Sequence, residues 1–203
     1  MGVPTKEFNG YQEIAVLNQR IRSILLVLRT LAAHMGTSGQ TPAESALHLS
    51  GRIGAIGRVA LAPVFCEGTD LESLVLDELL LQAARTEQFS VGGVEVRLTS
   101  KVAELMSLVI HELATNSVKY GALSQSQAKI KVAWEITTRR GSSILKFEWL
   151  ECAVQLMMGA GRIAGFGSEV VERLIARELR GDGQMIFLAD GVHYTIEFPL
   201  VER

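Results

Sequence analysis

The chain has 203 residues, of which 48% are hydrophobic, and a formal net charge of -2 at neutral pH. This length is enough for one medium domain or two small ones with a buried core. The slight negative charge argues against a nucleic-acid-binding surface. No apolar run is long enough to cross a bilayer, and residues 1–11 lack the pattern of a signal peptide. We therefore expect a cytoplasmic protein without a membrane span.

The first third of the chain has the heptad pattern of a helical hairpin. Apolar residues recur three and four positions apart at Ile14, Leu17, Ile21, Ile24, Leu28, Leu31 and Met35. Turn residues occupy 36–42, and a second helix from about Ala43 would place Leu49, Ile53, Ile56 and Ala60 on one side. An exposed seam of this kind predicts that two copies pair as a four-helix bundle. The alternative is that the seam packs on the rest of the same chain.

Helices and strands alternate along the remainder of the chain. Helices are predicted at 70–87, 101–120 and 165–179, and strands at 94–98, 130–137, 143–149, 184–188 and 193–198. The pair Asp190-Gly191 predicts a tight hairpin turn between the last two strands. Strands mixed with helices, the last strands antiparallel, indicate an α+β sandwich with helices on one face.

The helix predicted at 101–120 carries a polar face. Glu112 and Asn116 are four residues apart and share that face, with Lys119 and Tyr120 close by. An asparagine oxygen suits Mg²⁺, a glutamate can accept a proton, and a lysine can neutralise a phosphate. On spacing alone, a solvated helix face above a buried apolar side explains the pattern equally well.

The segment 111–123 reads His-Glu-Leu-Ala-Thr-Asn-Ser-Val-Lys-Tyr-Gly-Ala-Leu. It resembles the N box of the GHKL ATPase fold, in the form typical of bacterial HWE-type histidine kinases. The resemblance implies that Asn116 coordinates Mg²⁺, that Glu112 is the catalytic acid, and that Lys119 and Tyr120 lie at the bound nucleotide. His111 matches the histidine that helps to name the family and is a second candidate catalytic residue.

Trp149-Leu150-Glu151 resembles the Trp-x-Glu motif of the same family. In that motif the acid recognises the adenine amino group, for which a fixed acceptor is needed. Glycines normally follow this acid and let the backbone approach the nucleotide, whereas Cys152, Ala153 and Val154 follow it here. The resemblance therefore implies ATP and Mg²⁺ as cofactors, and the missing glycines predict weakened affinity for them.

Gly165-Phe166-Gly167-Ser168 resembles the second glycine box of the family, which stands before a helix. Backbone N–H groups at such a helix start suit a triphosphate, so the resemblance implies that Gly165, Gly167 and Ser168 bind the nucleotide. The stretch 154–164 would then be the lid over it.

The segment 17–23 resembles the phosphoacceptor box of the family, usually Leu-Asn-His-Arg-Val-Lys-Asn. Gln19 stands where the family has histidine, and a glutamine amide is not a useful nucleophile toward a phosphoryl group. Arg20 and Arg22 remain and are predicted to dock an acidic partner face, such as that of a response regulator. We expect the three candidate replacements, His34, His48 and His193, to be ordinary surface or half-buried residues.

The sequence predicts two domains, a helical dimerisation hairpin at 1–66 and a GHKL-like ATP-binding domain at 67–203. The resemblance extends from about Leu17 to Leu200, and we expect no sensor domain before it. The favoured hypothesis is a degenerate two-component histidine kinase, or pseudokinase, that does not phosphorylate itself and acts as a regulatory or adaptor dimer. The alternative is an active ATP-dependent kinase or ATPase that phosphorylates another protein.

Overall fold

The structure is a computed structural model that describes residues 14, 17, 21, 41–60, 68–83, 86–139, 141–154 and 175–200. Its helices are α1 (Pro42–Ala60), α2 (Leu71–Gln82) and α3 (Ser100–Tyr120). Its strands are β1 (Thr69–Asp70), β2 (Phe89–Gly93), β3 (Arg97–Leu98), β4 (Lys129–Arg139), β5 (Ser142–Cys152), β6 (Asp182–Leu188) and β7 (Gly191–Pro199). Short 3-10 turns lie at Thr86–Gln88 and Ala122–Ser124, and residues 175–178 are helical.

The main sheet has five strands in the order β2-β4-β5-β7-β6. Strands β2 and β4 are parallel, and the other neighbours are antiparallel. Strands β4 and β5 stay paired from Lys129 opposite Cys152 to Arg139 opposite Ser142. Strands β1 and β3 form a separate two-stranded ribbon. This mixed sheet with helices confirms the predicted α+β class.

One face of the sheet forms the core with the helices. Along β5 the buried residues are Leu145, Phe147, Trp149 and Glu151, and the residues between them are partly exposed. This period of two is that of a strand with one face covered. Helix α3 buries every residue from Ala103 to Ala114, so it is the central helix of the layer on that face.

Helix α2 begins and ends for local reasons. The carboxylate of Asp70 accepts hydrogen bonds from the backbone N–H of Ser73 at 2.8 Å and from its hydroxyl at 2.7 Å, which is an N-cap. The helix ends at Gln82 and not at residue 87, because the backbone of Ala83 is extended. A 3-10 turn then occupies Thr86–Gln88.

The strand predicted at 94–98 was wrong for residues 94–96. The strand of the main sheet at this point is β2, five residues earlier, and only Arg97–Leu98 pair as β3. The Val94 carbonyl accepts a hydrogen bond from Nε1 of Trp134 at 2.8 Å and lies outside both strands. The position of β2 is thus decided by its parallel pairing with β4, which begins 40 residues later. Local alternation of apolar and polar residues does not predict such a pairing.

Helix α1, the second helix of the predicted hairpin, packs on α3 through Arg52, Ala55, Ile56 and Val59. Of the seam residues predicted on this helix, Ile56 is buried and Ile53 is 45% exposed. The side of the helix that packs on α3 includes a charged residue, Arg52, and the pairing of Ile53 with a second copy stays a prediction. None of the described helices is both long and apolar enough to span a membrane.

Of the first hairpin helix, the structure describes only three residues. Ile14, Leu17 and Ile21 are helical, and between 46% and 58% of each is exposed. They belong to the predicted heptad seam. The other residues of that seam, the hairpin loop and the predicted domain boundary between 66 and 67 lie outside the described residues.

Candidate functional site

The second half of α3 carries the predicted N-box residues. His111 and Glu112 are buried, Asn116 is half-buried, and Lys119 and Tyr120 are exposed. The segment therefore passes from the core to the surface within three turns. Its acidic and imidazole groups face protein partners, which are described below.

Both oxygens of the Glu112 carboxylate are held by Arg52 of α1. Nε of Arg52 donates to Oε1 at 2.5 Å, and Nη2 donates to Oε2 at 2.7 Å. The side chains of both residues are nearly inaccessible, at 7% and 6%. A bidentate guanidinium–carboxylate pair out of water is among the strongest polar contacts in proteins. The predicted catalytic acid thus has its charge neutralised by a residue 60 positions earlier.

His111 belongs to a second polar network, which joins α1, α2 and α3. Its Nδ1 donates to Oε1 of Glu78 on α2 at 2.8 Å, and Arg58 of α1 pairs with the other oxygen of Glu78. Burial alone would raise the pKa of Glu78, but hydrogen bonds from His111 and Gln82 and the charge of Arg58 hold it below its ordinary value. The ring of His111 therefore lies between α2, where it is hydrogen-bonded to Glu78, and α1, where it lies against Gly51.

Lys119 contacts α1 as well. Its ammonium group donates to Nε2 of His48, which is half-buried as expected. Burial lowers the pKa of His48, and the positive charges of Lys119 and Arg52 lower it further. Helix α1 therefore follows the face of α3 from Glu112 to Lys119, and Asn116 lies between these two contacts.

Glu151, at the end of β5, is 2% exposed. Its Oε2 accepts from the backbone N–H of Ala122 at 2.6 Å, and its Oε1 accepts from Nε1 of Trp149 at 3.0 Å. Burial raises the pKa of this carboxyl, and the hydrogen bonds from Trp149, Ala122 and Ser117 oppose the rise. Within the Trp-x-Glu motif, the indole of Trp149 therefore donates a hydrogen bond to the carboxylate of Glu151.

Two glycines let the chain pass close to Glu151. A Cβ at position 121 would overlap the carboxylate, and one at position 191 would overlap the Glu151 carbonyl. Gly191 begins β7, and the loop of the last hairpin is Ala189 and Asp190. The predicted turn was therefore one residue too late: this glycine is needed for the close approach to β5.

The residues that replace the family glycines after Glu151 have a distinctive backbone. Ala153 has φ of 57°, in the left-handed region that favours glycine. Val154 is 4% exposed and belongs to the hydrophobic core, and its N–H donates to the Asp190 carbonyl at 2.8 Å. The chain thus keeps a glycine-like backbone at 153 while an isopropyl group fills space at 154.

Several predicted site residues lie outside the described residues. These are Gln19, Arg20, Arg22, Gly165, Gly167 and Ser168. Sequence reasoning in turn missed Arg52 and Glu78, the buried partners of the N box. The one available signal was an arginine among the small residues Gly51, Gly54 and Ala55, which permit the close approach of a second helix.

Other cavities and clusters do not coincide with this site. A cavity of about 170 Å³ lies beside Arg58, Glu78 and Ser107, and neither Asn116 nor Glu151 lines it. In the part of the chain that the structure describes, no three His, Cys, Asp or Glu side chains are grouped so as to hold a metal.

No protein-family model matches the sequence. The blue-light-activated histidine kinase of Brucella ovis is 31% identical over 109 residues, which are 54% of this chain and 22% of that protein. The blue-light-activated histidine kinase of Rhizobium johnstonii is 24% identical over 195 residues, which are 95% of this chain and 54% of that protein. The chain is a homologue of histidine kinases. It spans about half the length of these curated relatives, or less.

The fold of this histidine-kinase homologue agrees with the sequence relationship. The histidine kinase domain from the Erythrobacter litoralis EL346 blue-light-activated histidine kinase has a TM-score of 0.53 at 15% identity. The match covers 87% of this chain and 94% of that domain. The α+β sandwich is thus the GHKL fold of histidine-kinase catalytic domains, as the sequence predicts.

Proposed function

We propose that this chain is a degenerate histidine-kinase core that does not phosphorylate itself and acts in two-component signalling by binding a partner. The observation that carries the proposal is Gln19 at the phosphoacceptor position. A glutamine side chain has no imidazole nitrogen with which to accept a phosphoryl group. The geometry of Glu151 and Glu112 adds support, because the two acids of the candidate nucleotide site are already bonded to protein groups.

The adenine side of the site does not fit a bound nucleotide in the described arrangement. Adenine recognition would need the Glu151 carboxylate directed into an open pocket, but this group is 2% exposed and accepts hydrogen bonds from Ala122 and Trp149. Val154 adds a buried side chain where the family pattern has glycine. These features favour weak adenine binding.

The phosphate side is only partly preserved. Asn116 is half-buried and offers an oxygen suited to Mg²⁺, and Lys119 is an exposed cation suited to a phosphate. Glu112, by contrast, is neutralised by Arg52. ATP and Mg²⁺ are the cofactors that histidine-kinase homology suggests, and we propose that their affinity is low while α1 is docked.

A second candidate function is an ATP-dependent kinase or ATPase that acts on another protein. The retention of Asn116, which is half-buried, and of Lys119, which is exposed, favours it. This function needs nucleotide turnover without a histidine at position 19. Under this alternative, Asn116→Asp abolishes an ATP-dependent activity of the unmutated chain; under our proposal there is no such activity to abolish.

The experiment is incubation with γ-labelled ATP and Mg²⁺, followed by tests of the label for acid and base stability. We expect no acid-labile, base-stable phosphate on the chain. Such a label, located on any histidine by mass spectrometry, would falsify the proposal. ATP hydrolysis above background, lost in Asn116→Asp, would decide for the second candidate.

The matched variant is Gln19→His, which returns the family residue to its position. If the site binds nucleotide poorly, this variant also remains unlabelled, and Ala153→Gly with Val154→Gly must be added before label appears. If Gln19→His alone is labelled as strongly as an active kinase, the nucleotide site is competent and only the acceptor has been lost. The degenerate-site half of the proposal is then wrong.

We further propose that the chain is a homodimer that docks a response regulator. Three helical apolar residues of the heptad seam, Ile14, Leu17 and Ile21, are about half exposed and suit a second copy of the hairpin. Arg20 and Arg22 supply positive charge for an acidic regulator face.

A further inference from the structure

The contact between α1 and α3 includes a buried ion pair as well as apolar side chains. Ala55, Ile56 and Val59 form its apolar part. Arg52 extends the contact onto the N box, where it forms the bidentate pair with Glu112. Replacing a buried ion pair by apolar residues is often neutral or stabilising, so such a pair is weak evidence for a stabilising role alone.

The same helix contacts both the buried start and the exposed end of the N box. Gly51 lies against the His111 ring, His48 contacts Lys119, and Arg52 holds Glu112. Asn116, the candidate Mg²⁺ ligand, stands one turn beyond Glu112 and one turn before Lys119 on α3. A metal–nucleotide complex approaching Asn116 along this face would meet α1.

We propose that α1 is an internal cover of the N box, that the Arg52–Glu112 pair is its latch, and that α1 must move before a ligand reaches Asn116. The latch neutralises the candidate catalytic acid and closes the face beside it in one contact. The inference rests on the proposed function only in taking the N box as the nucleotide site. The position of α1 itself is measurable without nucleotide.

Helix α1 offers a matched control for the latch. Arg58, six residues after Arg52, also pairs with a buried glutamate, but its partner is Glu78 on α2. The variants Arg52→Met and Arg58→Met therefore each remove one guanidinium from α1 and leave one buried carboxylate without it. Only the first variant removes a contact to the N box.

The experiment measures access to position 116 with a thiol reporter. Asn116→Cys is introduced with Cys66→Ser and Cys152→Ser, so that one thiol remains, and its rate of alkylation by iodoacetamide is followed. Arg52→Met should accelerate alkylation by at least about tenfold, since the strongest contact that closes the face is lost. Arg58→Met should change the rate by less than about twofold, because the Arg52 pair stays intact.

Equal rates with and without Arg52→Met would overturn the cover. Equal acceleration by both variants would overturn the assignment of the latch to Arg52. If Arg52→Met does not give a native circular dichroism spectrum, Glu112→Gln replaces it, since the amide keeps one acceptor and loses the charge. Hydrogen exchange of residues 46–57 then gives the same two outcomes: lost protection supports the latch, and unchanged protection excludes it.

Failure of the cover and failure of the proposed function are distinguishable. The alkylation rates are measured without nucleotide, so they test the position of α1 alone. The labelling experiment with Gln19→His tests the nucleotide site and the acceptor. If Arg52 is found to hold α1 in place and the Gln19→His variant also becomes labelled, the nucleotide site is not degenerate. The cover would then regulate an active kinase.

Discussion

Gly51 of α1 lies against the imidazole of His111, so close that a Cβ at position 51 would come 2.7 Å from Nε2. Because the opposite ring nitrogen is bound to Glu78, the ring cannot retreat without breaking that hydrogen bond. Gly51→Ala should therefore lower the free energy of unfolding by about 1–3 kcal/mol, the usual cost of overpacking. Urea denaturation measures it.

Gly57, on the same helix, is the control for this substitution. A Cβ there would meet nothing within 4 Å. Gly57→Ala should stabilise the protein by about 0.5–1 kcal/mol, the ordinary gain in a helix interior. If the two variants change stability in the same direction, the close approach of α1 to His111 is not as described.

The backbone of Ala153 gives a second prediction. With φ of 57°, the alanine occupies a region that costs an L-residue about 1–2 kcal/mol. Ala153→Gly should therefore raise the free energy of unfolding, by about 0.5–1 kcal/mol after the entropy of the unfolded glycine is counted. Gly141, with φ of 80° and open space around its Cα, is the reverse case, and Gly141→Ala should destabilise by about 1 kcal/mol. A loss of stability in Ala153→Gly would contradict the strain.

Glu78 makes stability depend on pH. Its pKa in the folded protein is lowered, so its contribution is complete above the pKa of the unfolded chain and is lost as pH falls through the folded pKa. At pH 7 Glu78→Gln should cost about 1–3 kcal/mol, since it removes the negative charge and one of the two acceptors that His111 and the half-exposed Arg58 share. The gap between the variant and the parent should narrow on acidification below about pH 4. A constant gap in urea titrations would refute this linkage.

The proposed dimer predicts that a charge in the heptad seam separates two copies. Ile21→Glu should convert the dimer to a monomer in sedimentation velocity, because two carboxylates would face each other in the seam. The control is Ile186→Glu, which also replaces an exposed isoleucine but lies on β6 at the edge of the sheet. A parent chain that sediments as a monomer would contradict the dimer outright.

The proposed docking surface predicts a charge effect on binding. Arg20→Glu with Arg22→Glu should weaken binding to a response regulator by at least about tenfold, chiefly through association rate, at low salt. Isothermal calorimetry with candidate receiver domains measures it. Affinity that is unaffected by the reversal would place the partner elsewhere.

Local signals in the sequence accounted for much of the fold. The alternation along β5 and β7 and the length of α3 follow from periodicity within one element, and the Asp70 cap depends on a residue three positions away. The N-box residues were found because their order in sequence is itself the signal. Nothing about them required knowledge of distant segments.

The partners of the site could not be predicted in the same way. Arg52 and Glu112 are 60 residues apart, and a lone arginine in a helix is normally assigned to the solvent side. The burial of Ile56 beside the exposure of Ile53 follows from that same arrangement. Similarly, β2 is defined by pairing with β4 across the whole of α3. Such choices depend on the energy of the assembled fold.

The strand order also has a consequence for the way the chain folds. Strands β4 and β5, and likewise β6 and β7, are neighbours in sequence joined by two-residue connections, so these hairpins can form early with little loop-closure entropy. Strand β2 must wait until α3 has crossed the nascent sheet, because its parallel partner begins some 40 residues later. The pairing of β2 with β4 should therefore form last, and refolding intermediates should expose the edge of β4 that β2 later covers.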